Sequence, residues 1–279
     1  MSGPAAPGER LRAAVIQMCS GDDLETNLAR ARALLEQAAR AGARLALLPE
    51  NFAFMGADEE ARRRVAEPEE DSRILRFLGE TARALDMAVI GGGILLAGDG
   101  DARVRNACPA VGREGHVVAI YDKMHLFDVD LPGETWRESA STVPGQRPVA
   151  VTLDGWRVGL SICYDLRFPE LYRAHAGVEI ISVAAAFTVP TGRAHWEVLL
   201  RARAIENQCY VLAAAQSGEH PGGRRTWGHS MIVDPWGRVL GCREQGEGVL
   251  VADLDRDELA RVRERLPALT HRRLDGRAA

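Results

Sequence analysis

A run of apolar and β-branched residues, Trp156 to Ile162, stops at Cys163, and after a short polar stretch Phe168-Pro169-Glu170 begins a helical pattern. In open α/β architectures the carboxyl ends of strands form the edge where ligand crevices lie, so a thiol at such an end is placed for a nucleophile. The same position equally suits an inert core cysteine, which is what most free cysteines are. The run alone does not choose between these readings.

Strand and helix patterns alternate along the rest of the chain. Residues 11–18 read as a strand, Asp22 or Asp23 caps a helix reaching about Ala41 with Gly42 as its stop, and 44–48 form a short strand ending in Pro49-Glu50. Residues 51–68 read as a loop with some helical character, and Asp71-Ser72 open a second helix with Ile74, Leu75, Leu78, Ala82 and Leu85 on one face. Residues 87–96 are expected as one strand. Its Gly91-Gly92-Gly93 serves close backbone packing, because no Gly-x-Gly-x-x-Gly pattern or Walker lysine accompanies it. Residues 104–111 and 116–121 flank a hairpin signal, and the second leads into Asp122-Lys123-Met124-His125. Residues 127–148, which include Glu138, are expected as a functional loop. Then come a strand at 179–185, a helix at 193–208, a strand at 209–215, a strand series at 229–234, 238–242 and 248–253, and a closing helix at 255–266. Helix–strand alternation mixed with hairpins indicates α/β rather than all-parallel Rossmann architecture. No linker or internal repeat divides the chain, which predicts one domain over residues 11–279 after a Gly/Pro-rich, disordered leader at 1–10.

Composition narrows the function classes. Net charge is −4 with both signs interspersed, which argues against nucleic-acid and membrane partners. No apolar run approaches the roughly 18 residues that span a bilayer, so a cytoplasmic location is expected. The five cysteines are scattered without a Cys-x-x-Cys pair or zinc-ligand spacing, so neither a disulfide framework nor a structural zinc site is expected; separately, the chemistry read from the residues below requires no metal or organic cofactor.

Three strand ends present a carboxylate (Glu50), an ammonium (Lys123) and a thiol (Cys163). A neighbouring lysine favours a thiolate, a carboxylate can accept the thiol proton, and the lysine together with the Tyr164 backbone amide can stabilise an oxyanion. Such a set predicts acyl transfer through a thioester, with Glu50 acting in turn as base, acid and base. Taken singly, each charge is equally a strand-end acid or a surface ion pair.

Leu47-Leu-Pro-Glu50-Asn-Phe, Tyr121-Asp-Lys-Met-His-Leu-Phe-Asp128 and Gly159-Leu-Ser-Ile-Cys-Tyr-Asp-Leu-Arg-Phe-Pro-Glu170 resemble, in order, the three signature segments of the nitrilase superfamily, the carbon-nitrogen hydrolases. The resemblance implies a four-layer αββα sandwich and a Glu-Lys-Cys triad at Glu50, Lys123 and Cys163, with a second glutamate, Glu138, positioning substrate and lysine. It also implies at least a homodimer, a small-molecule amide as substrate, Phe187 and Thr191 in the pocket, and His125 near the triad lysine. The segments 185–210 and 228–237 are most similar to the branch holding deaminated-glutathione amidases and omega-amidases. That branch implies cleavage of the distal amide of N-(4-oxoglutaryl)-L-cysteinylglycine to 2-oxoglutarate and Cys-Gly, or of α-ketoglutaramate to 2-oxoglutarate and ammonia. Carbamoylase or nitrilase activity, and a non-catalytic binding protein, stay open as alternatives. Both branch substrates share an acyl half that carries a carboxylate, for which Arg167 is a suited bidentate partner; an internal ion pair of Arg167 with Asp165 or Glu170 is the rival reading. Arg193 is given no role; the loop 218–225 is a candidate contact for a peptide leaving group, and the choice between the two substrates stays open with it.

Overall fold

The computed structural model describes residues 10–98, 100, 103–131 and 134–274. Apart from Arg10, which already pairs in the first strand, the expected leader lies outside the described residues.

Two sheets lie face to face. In the first, Arg10–Gln17 runs parallel to Leu45–Leu47, which runs parallel to Ala88–Ile90. Antiparallel strands Val104–Val111, Ile94–Ala97 and Val117–Asp122 extend one side of it. The second sheet has Trp156–Ile162, Ile180–Ala185 and Tyr210–Ala215 parallel at its centre, flanked by antiparallel strands Ala150–Leu153, Ser230–Val233 and Val239–Arg243. Alternation along the strands builds the layers. In Arg10–Gln17, Leu11, Ala13 and Val15 join Leu160 and Ile180 in the core between the sheets, whereas Ala14 and Ile16 pack under the outer helices Leu24–Arg40 and Arg73–Leu85. The helices Val189–Asn207 and Arg256–Arg265 cover the second sheet with Trp196, Leu200, Ala204 and Leu259. The molecule is therefore a four-layer αββα sandwich.

Local chemistry explains the helix limits. Asp23 Oδ1 accepts the Thr26 amide at 2.7 Å and caps the first helix, a contact worth about 1 kcal/mol. Ser72 caps the helix Arg73–Leu85 in the same way. The expected boundaries need four corrections. Residues 87–96 are two strands, broken at the three glycines and both paired to Val104–Val111. The helix expected from Arg193 begins at Val189, because Thr188 is extended and Pro190 suits the first turn. The span 127–148 holds a hairpin, Asp128–Leu131 with Glu134–Arg137, and a 3-10 turn at Glu138–Ala140. The strand series after 229 is split between the sheets: Gly248–Asp255 leaves its predecessors and pairs antiparallel with Arg10–Gln17.

Candidate active site

The site lies where strands of both sheets end. Pro49-Glu50 follows Leu45–Leu47, Lys123 follows Val117–Asp122, and Cys163 follows Trp156–Ile162. Two of these exits bend through left-handed backbone at a non-glycine residue, Asn51 (φ 58°) and Cys163 (φ 49°). Such conformations are uncommon and are held by their surroundings.

For Asn51 the surroundings are the triple glycine. The Asn51 amide donates to the Gly93 carbonyl at 2.7 Å, and a Cβ at Gly92 would stand 2.2 Å from the Pro49 carbonyl oxygen. A Cβ at Gly93 would press on the Asn106 and Glu50 side chains. Glycine is needed here because the backbone runs against the Glu50 turn, which is the close packing expected of this stretch.

For Cys163 the surroundings are Asp165. This fully buried carboxylate accepts from the Ile162 amide at 2.9 Å and the Tyr121 hydroxyl at 2.8 Å through Oδ2. Through Oδ1 it takes the His125 amide at 3.1 Å and faces His125 Nδ1 at 2.7 Å. The 3-10 turn Cys163–Arg167 is thereby tied to the segment that delivers Lys123.

Lys123, 2% exposed, joins two carboxylates. Its Nζ lies 3.0 Å from Glu50 Oε1 and 2.8 Å from Glu138 Oε2. Asn106 Nδ2 donates to both glutamates, at 3.0 and 3.3 Å, and the Phe127 amide donates to Glu138 Oε2 at 2.8 Å. Gln216 Nε2 fixes the Glu50 carbonyl at 3.0 Å. Glu50 Oε2 is buried and accepts from no N–H or O–H donor among the described residues.

Electrostatics assign charge states. Burial opposes the Lys123 ammonium, yet Glu138, Glu50 and Cys163 outweigh it and hold its pKa above the ordinary lysine value. Burial likewise opposes the Glu138 carboxylate, but Lys123 and then Arg62 bring its pKa down to about 2. Burial first, and Glu50 second, push the Cys163 thiol up; Lys123 and the Ala186 backbone pull it down without prevailing. At neutral pH the resting site therefore holds an ammonium, an ionised Glu138 and a neutral thiol.

These groups open into a cavity of about 310 Å³. Glu50, Lys123, Glu138 and Cys163 line it, as do Tyr164, Arg167, Phe187 and Thr191. His125 does not line it: its ring stacks on Phe168 at a centroid distance of 3.7 Å and supports Asp165. The ion pair of Arg167 with Asp165 or Glu170 is absent among the described residues. Arg167 instead meets His195 Nδ1 at 3.2 Å and lies over the Tyr164 and Phe187 rings. Sequence reasoning missed Asn106 and Gln216, and reached Arg224 only as part of the loop 218–225. An amide inside the apolar run Val104–Val111 is the one signal that pointed to Asn106.

An αββα sandwich whose two sheets jointly present a buried carboxylate, ammonium and thiol to one cavity has the architecture of enzymes that cleave carbon–nitrogen bonds. Residues 12–264 match the carbon-nitrogen hydrolase family, and the chain belongs to it. It is a hydrolase acting on carbon–nitrogen bonds. Similar curated proteins include the deaminated glutathione amidase of Synechocystis, 42% identical over 93% of this chain and 97% of its own. The human deaminated glutathione amidase is also 42% identical, over 94% of this chain and 82% of its own. Among solved structures, the NitFhit protein of C. elegans superposes with a TM-score of 0.89 at 39% identity, covering 96% of this chain and 66% of that one. An amidase from Nesterenkonia sp. AN1, captured with acrylamide added at its active-site cysteine, has a TM-score of 0.76 at 29% identity over 93% of this chain and 99% of its own.

Proposed function

We propose that this hydrolase cleaves the distal amide of deaminated glutathione, N-(4-oxoglutaryl)-L-cysteinylglycine, giving 2-oxoglutarate and Cys-Gly through a thioester on Cys163. One observation carries the chemistry: in the Glu50–Lys123–Glu138 network, the buried oxygen Glu50 Oε2 is taken by no other group among the described residues, and Glu50 acts directly on the Cys163 thiol. The relatives named as deaminated glutathione amidases support the substrate.

Because the resting thiol is neutral, its proton passes to Glu50 as sulfur attacks the amide carbon. The negative charge that develops on the carbonyl oxygen is met by Lys123 and the Tyr164 amide. Protonated Glu50 then gives its proton to the leaving nitrogen, the carbon–nitrogen bond breaks, and the acyl group stays on sulfur. Water, deprotonated by Glu50, releases the acid and restores the thiol. Glu138 takes no proton in this cycle; with its pKa near 2 it keeps Lys123 charged and in place. Arg167, cradled by Tyr164 and Phe187, receives the 2-oxo acid carboxylate, and Thr191 lines the same end.

The test compares 2-oxoglutarate release from deaminated glutathione and from α-ketoglutaramate. Preference for the former by about tenfold or more in kcat/KM, with a 2-oxoglutaryl adduct that is absent in Cys163→Ala, is expected. A reversed preference assigns the omega-amidase reaction instead.

A further inference from the structure

Four arginines stand in the cavity wall: Arg62, Arg137, Arg167 and Arg224. Arg137 is spent on Asp130, with two contacts at 2.8 and 2.9 Å. Arg62 adds to the field that holds Glu138 ionised. Arg167 and Arg224 have no carboxylate partner among the described residues, and they stand among different neighbours. Arg167 belongs to the nucleophile's own turn and lies over Tyr164 and Phe187. Arg224 is half-buried on the hairpin formed by Ser217–Glu219 and Arg225–Trp227, and its guanidinium lies 4.8 Å from the Trp136 ring centroid. One of its nitrogens donates to the Ala186 carbonyl at 3.0 Å, another reaches Met55 Sδ at 3.9 Å, and Nε is buried without a partner among the described residues.

The hairpin holds this cation in place before any ligand arrives. Buried His220 is bound at both ring nitrogens, to the Ser20 carbonyl at 2.8 Å and the Thr226 hydroxyl at 2.7 Å. Its amide donates to the carbonyl of Arg224 itself at 2.8 Å. A guanidinium kept in a cavity with its hydrogen-bonding capacity partly unspent is costly for the empty protein and suited to an incoming carboxylate.

We propose that Arg224 is the specificity residue for the leaving group, receiving the terminal carboxylate of a departing peptide and so favouring amides that release a dipeptide over those that release ammonia. This rests on the substrate reading above and deepens it. The substrate has a carboxylate at each end, and the cavity has two arginines, Arg167 and Arg224, without an acid partner among the described residues. The acyl carbon is bonded to Cys163 during reaction, which assigns the acyl-side carboxylate to Arg167 in the same turn and leaves Arg224 for the other. α-Ketoglutaramate has only one carboxylate and no use for the second arginine.

The experiment measures kcat/KM for Arg224→Gln, Arg224→Lys and the unaltered enzyme on three substrates: deaminated glutathione, its C-terminal glycinamide, and α-ketoglutaramate. Arg224→Gln is expected to lose about tenfold to a hundredfold on deaminated glutathione, and at least about tenfold more than on α-ketoglutaramate. Amidating the substrate should cost the unaltered enzyme a similar factor and cost Arg224→Gln nothing further, with Arg224→Lys in between. Equal losses on all three substrates, or additive losses from mutation and amidation, overturn the assignment and leave Arg224 a prop of the hairpin. If the Gln variant does not fold, amidation tested on the unaltered enzyme decides alone, since no loss there overturns the proposal. An unaltered enzyme that does not cleave deaminated glutathione overturns the substrate reading itself.

Discussion

Charge at single residues decides what this site can do at neutral pH. Glu138 was legible only through the family resemblance, a loop glutamate with no local pattern to mark it, yet its folded-state pKa lies near 2 because Lys123 and Arg62 act on it. A carboxylate whose pKa is depressed on folding contributes stability that is fully present above its unfolded value and is lost as pH falls through the folded one. The protein should therefore lose stability between the ordinary carboxylate range and about pH 2. Glu138→Gln should flatten that part of the profile, measured by urea unfolding at a series of pH values; an unchanged slope would mean the Glu138–Lys123 pair is not formed in solution. The same variant should lower kcat at neutral pH, since Lys123 keeps only Glu50 as a charged partner. Cys163, by contrast, was legible from its place at a strand end, but its protonation was not. The neutral thiol follows from burial and from Glu50, both supplied by distant parts of the chain.

Among the elements, the 3-10 turn Cys163–Arg167 depends most on a side chain that sequence reasoning weighed only as an ion-pair partner. Asp165 was set against Arg167; instead it gathers the Ile162 amide, the Tyr121 hydroxyl and the His125 amide, and faces His125 Nδ1. Replacing it by Asn turns one acceptor oxygen into a donor facing donors. Asp165→Asn should cost roughly 2–4 kcal/mol, whereas Tyr121→Phe, which removes one partner, should cost about 1 kcal/mol. Urea midpoints at unchanged m-value check both, and a neutral Asp165→Asn would show that the turn holds its shape by backbone alone. His125, expected near the triad lysine, stands in this support rather than in the cavity wall.

At the scale of the whole molecule, the two sheets are joined by pieces far apart in sequence. Gly248–Asp255 closes the first sheet against Arg10–Gln17, and the following helix docks on the second, where Arg256 Nε meets Glu179 at 2.7 Å and Tyr210 bonds Asp255. A chain ended at residue 247 would lose this closure and bare the edge of Arg10–Gln17. The loss is expected to exceed the whole net stability of about 5–15 kcal/mol, leaving aggregated or unfolded protein; a soluble, cooperatively unfolding truncation would contradict it. Strand and helix types and the α/β class were readable from local patterns, because each is encoded within a short span; the αββα sandwich and the candidates Glu50, Lys123 and Cys163 came as a set only through the resemblance of three ordered motifs to a known family. The break at Gly91-Gly92-Gly93, the transfer of Gly248–Asp255 to the other sheet and the joining of Asn106 and Gln216 to the site were not readable, nor was the choice of Arg224 within the loop 218–225. Periodicity reports which residues turn inward, but not which distant strand they meet. Only the stacking of two sheets decides which buried charges face one another, and hence which side chain holds a proton and which arginine is left for a substrate.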